Sequence, residues 1–240
     1  MVPCLAASMA GSAGAAFDPM ILSAVLFGTA FGHVWCWHLG LALLLVVATS
    51  LTRRAEPVLA MGLLLLGSLA LIGHPADASG WAGIGRQLNQ AAHLLAAGLW
   101  LGGLVPLGWL LHRATKDPAE GFATLARDAL PPFSQMGYAA VAVIAITGLV
   151  NTTVLVGGIG PLLGSGYGRL LAVKMLLYAA MVGLALVNRF RLAPRLRQAP
   201  PYRASAAALA RAVVAEQVLG FAILGLIAVI GTLPPPAGGP

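Results

Sequence analysis

The sequence predicts an all-α polytopic membrane bundle of about six transmembrane helices with both termini outside. Three observations predict it. Of 240 residues, 59% are hydrophobic and only 9% are charged, against about 25% charged in soluble domains. Six segments each supply roughly the 20 mostly apolar residues that cross a hydrocarbon core about 30 Å thick, at about 1.5 Å per residue. Lys and Arg fall in alternate connections between those segments, as retention of positive charge on the cytoplasmic side requires. The mean hydropathy of +0.90 has the same origin. This composition excludes disorder, a coiled coil and a disulfide scaffold. The net charge of +7 does not indicate nucleic acid, because the basic residues sit in short loops and make no basic face.

Residues 1–34 are expected to form an N-terminal outer segment. Its first sixteen, MVPCLAASMAGSAGAA, lack the positive n-region of a signal peptide and are read as mature chain. The stretch 20–31, MILSAVLFGTAF, is too short before Gly32 and His33 to cross a bilayer alone, and reads as an interfacial or re-entrant piece. A six-span domain follows over 35–232, with spans near 35–52, 57–73, 88–111, 133–155, 169–188 and 212–232. An uncharged outer Pro/Gly tail, 233–240, completes the chain. Arg53 and Arg54 follow span one. Arg113, Lys116 and Arg127 follow span three. Arg189, Arg191, Arg195, Arg197, Arg203 and Arg211 surround the connection from span five to span six. Eleven of the 14 basic residues are therefore on one side, the cytoplasmic one. Cys4 and Cys36 are the only cysteines, and their spacing argues for no structural disulfide.

A weak parallel repeat supports the layout. Residues 27–54 align without gaps on 163–190, with five identities in 28 positions and a shared local pattern. That pattern is Gly, a hydroxyl residue, a small residue, an aromatic, Gly, then a basic or imidazole side chain. His38 falls opposite Lys174. Repeated halves of this kind recur among transporters.

Ionisable side chains inside spans are costly and normally face a bundle interior or a watery path. His33 and His38 are placed at the outer mouth of span one, His74 at the outer end of span two, and His93 one to two turns into span three. Asn151 and Lys174 lie near the same side, in spans four and five. His112 reads as a solvated inner helix end. A single interfacial histidine is ordinarily a polar anchor. His74 and His93 differ, because they flank one short outer loop and their rings can approach. Neutral imidazole suits copper, zinc or haem iron, and Cys36 and Met175 would add soft sulfur for Cu(I). A cation path there needs Lys174 and Arg169 paired or turned away. Glu216, the acid well inside a span, is either protonated, paired to Arg189 or Arg211, or part of a cation exit route, and the pairing is the preferred reading. Gly98 and Gly102, four apart in span three, are expected to let another helix approach closely. A phosphate loop, an HExxH pair and a Ser-His-Asp arrangement are all missing, so the sequence does not read as an enzyme.

Several motifs then match in order and spacing: GHP at 73–75, HLLAAGLWLGGL at 93–104, PFS at 132–134, TGLVNT at 147–152, GYGRLLAVK at 166–174, NRFRLAP at 188–194, and Glu216 in span six. Together they resemble the copper-resistance D (CopD) family of bacterial inner-membrane proteins, over nearly the whole chain from about Phe27 onward. The resemblance implies a multi-pass protein of the cytoplasmic membrane that takes part in copper uptake, alongside a periplasmic copper-binding protein. Family members have eight spans, so this chain resembles a short form lacking the first two. His38 stands where the family has arginine, which is either an extra ligand or a neutral swap. The expected function is copper uptake and homeostasis, with His74 and His93 as the outer site and His33, His38, Cys36 and Met175 as further candidate ligands. Two other classes stay open. One is a membrane protein binding haem b with His74 and His93 or His38 as axial ligands; the other is an assembly factor that transports nothing.

Overall fold

A computed structural model describes residues 18–71, 80–116, 120–197 and 202–238, and all of its regular structure is helical. Among the described residues, five helices are long and apolar enough to cross a membrane: Phe31–Leu51, Gly80–Lys116, Gly121–Val156, Gly166–Leu196 and Arg203–Ile230. They account for five of the six expected spans. The remaining one is realised as a shorter apolar helix, Ala55–Leu71. The chain divides into two compact units, Met1–Leu95 and Ala96–Pro240.

In the first unit, α1 (Pro19–Gly28) is capped by Asp18, whose carboxylate accepts from the Met20 and Ile21 amides. After the single residue Thr29 the chain resumes as α2 (Ala30–Leu51), and α3 (Ala55–Ser68) returns against it, ending in a 3-10 turn, Leu69–Leu71. Few side chains here are buried, and Trp37, Leu43, Val46 and Leu51 are largely exposed. An apolar surface of this extent suits lipid rather than water.

The second unit has the larger core. Helix α4 (Gly80–Lys116) carries Ala96, Trp100, Leu104, Leu107 and Leu111 on one buried stripe at three- and four-residue spacing. That stripe meets Leu130, Ala140 and Ile144 of α5 (Glu120–Val156). Met181 of α7 (Gly166–Val187) and Leu209 and Val213 of the last long helix, Tyr202–Ile230, complete the cluster. Tyr178 donates to the Val141 carbonyl at 2.8 Å and Gln217 to the Leu104 carbonyl at 2.9 Å, tying neighbouring helices together. Close approach depends on Gly103 and Gly108, where a Cβ would press on Phe133 and on Gln217 and Val213. Gly102 instead faces open space. The expected Gly98/Gly102 seam is thus corrected at Gly102: it faces open space, and the contact glycines, Gly103 and Gly108, both follow it.

Both α4 and α5 have 37 residues, about 55 Å of helix, well beyond the ~30 Å of hydrocarbon. Pro131 and Pro132 lie inside α5, where the sequence places a loop.

The internal repeat appears as one repeated backbone device. Helix α6 (Ile159–Gly164) leads into Ser165 and then α7, as α1 leads into Thr29 and α2. Thr29 Oγ1 donates to the Val25 carbonyl at 2.6 Å and accepts from the Gly32 amide at 2.9 Å. Ser165 Oγ donates to the Pro161 carbonyl at 2.7 Å and accepts from the Gly168 amide at 2.9 Å. At both breaks a Cβ on the following glycine, Gly32 or Gly168, would collide with backbone carbonyls of the preceding short helix.

Candidate functional site

His33 and Cys36 lie three apart on α2 and therefore share a face. Both turn to the last carbonyls of α1. The His33 Nε2–H donates to the Phe27 carbonyl at 2.9 Å, and the Cys36 thiol donates to the Leu26 carbonyl at 3.9 Å. His33 is exposed; Cys36 is half-buried and free. His38 points elsewhere: its Nδ1 is 2.7 Å from Ser68 Oγ on α3, and its ring meets the edge of Trp35, with centroids 5.4 Å apart.

These bonds fix the tautomers of both rings. A carbonyl only accepts, so in neutral His33 the proton is on Nε2 and the Nδ1 lone pair is unused. Ser68 has one hydroxyl proton and gives it to the Leu65 carbonyl at 2.7 Å. Ser68 must then accept from His38 Nδ1–H, which leaves the Nε2 lone pair of His38 available. Metal-ligating histidines are held in this way, one nitrogen donating to the protein and the other facing the ion.

His93 is half-buried on α4. Because α4 begins at Gly80, His93 is about 20 Å along the helix from its start. His74 lies outside the described residues, so its expected approach to His93 does too. Among the described residues, no group of three or more His, Cys, Asp and Glu side chains is placed to hold one metal ion. The structure brings His33 and Cys36 together at the α1–α2 break and leaves His38 on another side of α2. Met175 is exposed on α7, Lys174 and Asn151 are half-buried and Arg169 is exposed, all four in the second unit. His112 is exposed at its helix end, as expected.

Glu216 corrects the reading as an arginine-paired acid. It is 3% exposed, and its carboxylate accepts from Asn188 Nδ2. No ion pair to Arg189 or Arg211 occurs among the described residues. Asn188 was not singled out by the sequence. It opens a π-helical turn, Asn188–Leu192, closed by the Ala193 amide bonding to the Asn188 carbonyl. Pro194 offers no amide and would crowd the carbonyl four residues back, so a widened turn accommodates it. The available signal was a polar residue closing an apolar run as the first residue of NRFRLAP.

Comparison with known proteins gives a consistent set of relatives. The family described as copper resistance protein D matches residues 127–230, and the copper resistance protein D-like N-terminal domain matches residues 1–84. The chain is 33% identical over 225 residues to the inner membrane protein YebZ of Escherichia coli (strain K12), covering 91% of this chain and 73% of that one. It is 33% identical over 179 residues to copper resistance protein D of Pseudomonas syringae pv. tomato, covering 73% and 57% of the two chains. The copper transport protein CutJ of Bacillus subtilis (strain 168) is 30% identical over 242 residues, covering 96% of this chain and 42% of its own length. No solved structure matches.

Proposed function

The chain belongs to the copper resistance protein D family, and from that premise we propose that it binds copper at the outer face of the bacterial cytoplasmic membrane and passes it inward. Two named relatives are copper resistance and copper transport proteins, and a third is an inner membrane protein. Copper is the cargo. The observation that carries the reading is the state of the α2 imidazoles: His33 and His38 each have one ring nitrogen committed as a donor, leaving the other as a lone pair. Imidazole and thiolate suit copper over hard cations. A site of two or three such donors also releases its ion more readily than a closed cage. His74 and His93 form the primary outer pair in this reading, with His33, Cys36, His38 and Met175 as further ligands and a periplasmic copper-binding protein as the supplier.

Metal analysis and an optical spectrum of detergent-purified protein test it. The expected result is stoichiometric copper, no Soret band, and loss of the metal from the His74→Ala/His93→Ala double variant with the helical circular dichroism intact. Copper bound with unchanged stoichiometry and affinity in that variant would remove the primary pair. A Soret band, or no copper at all, would overturn the function.

A further inference from the structure

The second unit contains a polar arrangement that copper chemistry does not use. Glu216 and Asn188 are 3% and 7% exposed, and they line one side of a cavity of about 90 Å³. Most of the wall is apolar, including Trp100, Leu104, Phe133 and Leu209. The amide nitrogen of Asn188 donates to one carboxylate oxygen of Glu216. Asn188 Oδ1 is buried and accepts no hydrogen bond, although a buried acceptor without a donor is costly and uncommon. An ionised Glu216 has no proton to give it. A protonated Glu216 does: an acid and a primary amide can exchange two hydrogen bonds at once, N–H to one carboxyl oxygen and O–H to the amide oxygen. One proton on Glu216 therefore supplies the missing donor and removes a charge that burial disfavours.

We propose that Glu216 and Asn188 form a proton-binding site, in which the carboxyl is held as the neutral acid by this two-point pair and exchanges its proton with water in the adjoining cavity. The cavity is roomy enough for a few water molecules, and Ser134, Tyr138 and Arg189 are the other polar side chains on its wall. On release, the proton passes to a cavity water as hydronium, leaving the carboxylate. Arg189 is the one basic side chain among the described residues that lines the same cavity.

No other charged side chain among the described residues lines the cavity. Arg127 of α5 donates to the Leu196 carbonyl at 3.1 Å. Arg113 of α4 stacks over Trp109 and Phe122. Asp128 of α5 is not on the cavity wall. Arg211, on the same helix as Glu216, is exposed, and Lys174 is about four turns from Asn188 along its helix. Asn188 opens the π-turn, and such turns are frequent at functional sites. The site stands independently of copper: a protein that bound no copper would still carry it.

Infrared spectroscopy of the purified full chain reads the proton directly. At neutral pH the spectrum is expected to contain the carbonyl stretch of a protonated carboxyl. That band should shift when glutamate is labelled with carbon-13 at its side-chain carboxyl, shift again in D2O, and vanish in Glu216→Gln. The labelling needs no substitution, so it decides the matter even if a variant folds poorly. In Asn188→Leu the band should move, because the acid keeps its proton but loses the amide. Absence of a protonated band in the wild-type protein would overturn the proposal. So would a band that persists in Glu216→Gln, ignores D2O or is unmoved by Asn188→Leu.

Discussion

Ser68 carries no charge and would bind no metal, yet it decides which nitrogen of His38 can. Its proton goes to the Leu65 carbonyl, so it accepts from His38 Nδ1 and leaves the lone pair on Nε2. Partners of this kind typically account for about 10- to 100-fold in metal affinity. If His38 contributes to the copper site, Ser68→Ala should weaken copper binding by roughly that factor. Ser50→Ala, which removes a hydroxyl bonded only to its own helix, should leave affinity unchanged. Competition with a chelator measures both, and equal affinities in the two variants would exclude His38 as a ligand. At this scale the sequence was only half legible. It located the histidines, Cys36 and Glu216, because ionisable groups stand out in apolar runs. It gave Glu216 an arginine partner because charge complementarity is visible in a sequence, whereas the Asn188–Glu216 bond joins residues 28 apart, a pairing that no local residue pattern specifies.

Among the elements, the helix breaks at Thr29 and Ser165 show how a local pattern becomes geometry. A hydroxyl residue caps the second helix and bonds back to the first, while a glycine three positions later admits the carbonyls of the short helix. Gly168→Ala would drive a Cβ into the backbone carbonyls of Pro161 and Leu162, which have no side-chain freedom to yield. It should cost about 1–3 kcal/mol, the range seen for overpacking. Gly164→Ala meets nothing within 4 Å and should change stability by less than about 0.5 kcal/mol. Thermal unfolding in detergent distinguishes them; equal midpoints would mean that the close approach at Gly168 is not required. The repeat pattern was readable in the sequence as a run of residue types, but its meaning as a capped break was not. The spans were legible because lipid selects apolar length. The water-side continuations of α4 and α5 were not, since hydropathy is silent once a helix leaves the hydrocarbon, and Pro131 and Pro132 read as a boundary that the helix in fact crosses.

For the whole molecule, the distribution of basic residues sets the orientation in which the chain is inserted. Eleven of the 14 lie at connections that the span parity places together, and six of them surround a single connection. Carrying an elementary charge across the membrane against a potential of about 100 mV costs about 2.3 kcal/mol, so six arginines there strongly favour retention in the cytoplasm. On that orientation the break at Thr29, with His33 and Cys36 beside it, is expected to face the periplasm, as the proposed copper capture from outside requires. Single-cysteine labelling in intact cells tests this orientation in a background with Cys4 and Cys36 replaced by serine. Thr232→Cys, at an exposed position after the last long helix, should react with a membrane-impermeant thiol reagent. Ala204→Cys, exposed in the first turn of that helix, should react only after the membrane is permeabilised. The reverse pattern would place the imidazoles of α2 on the cytoplasmic side, and inward transport through them could not then begin from the periplasm.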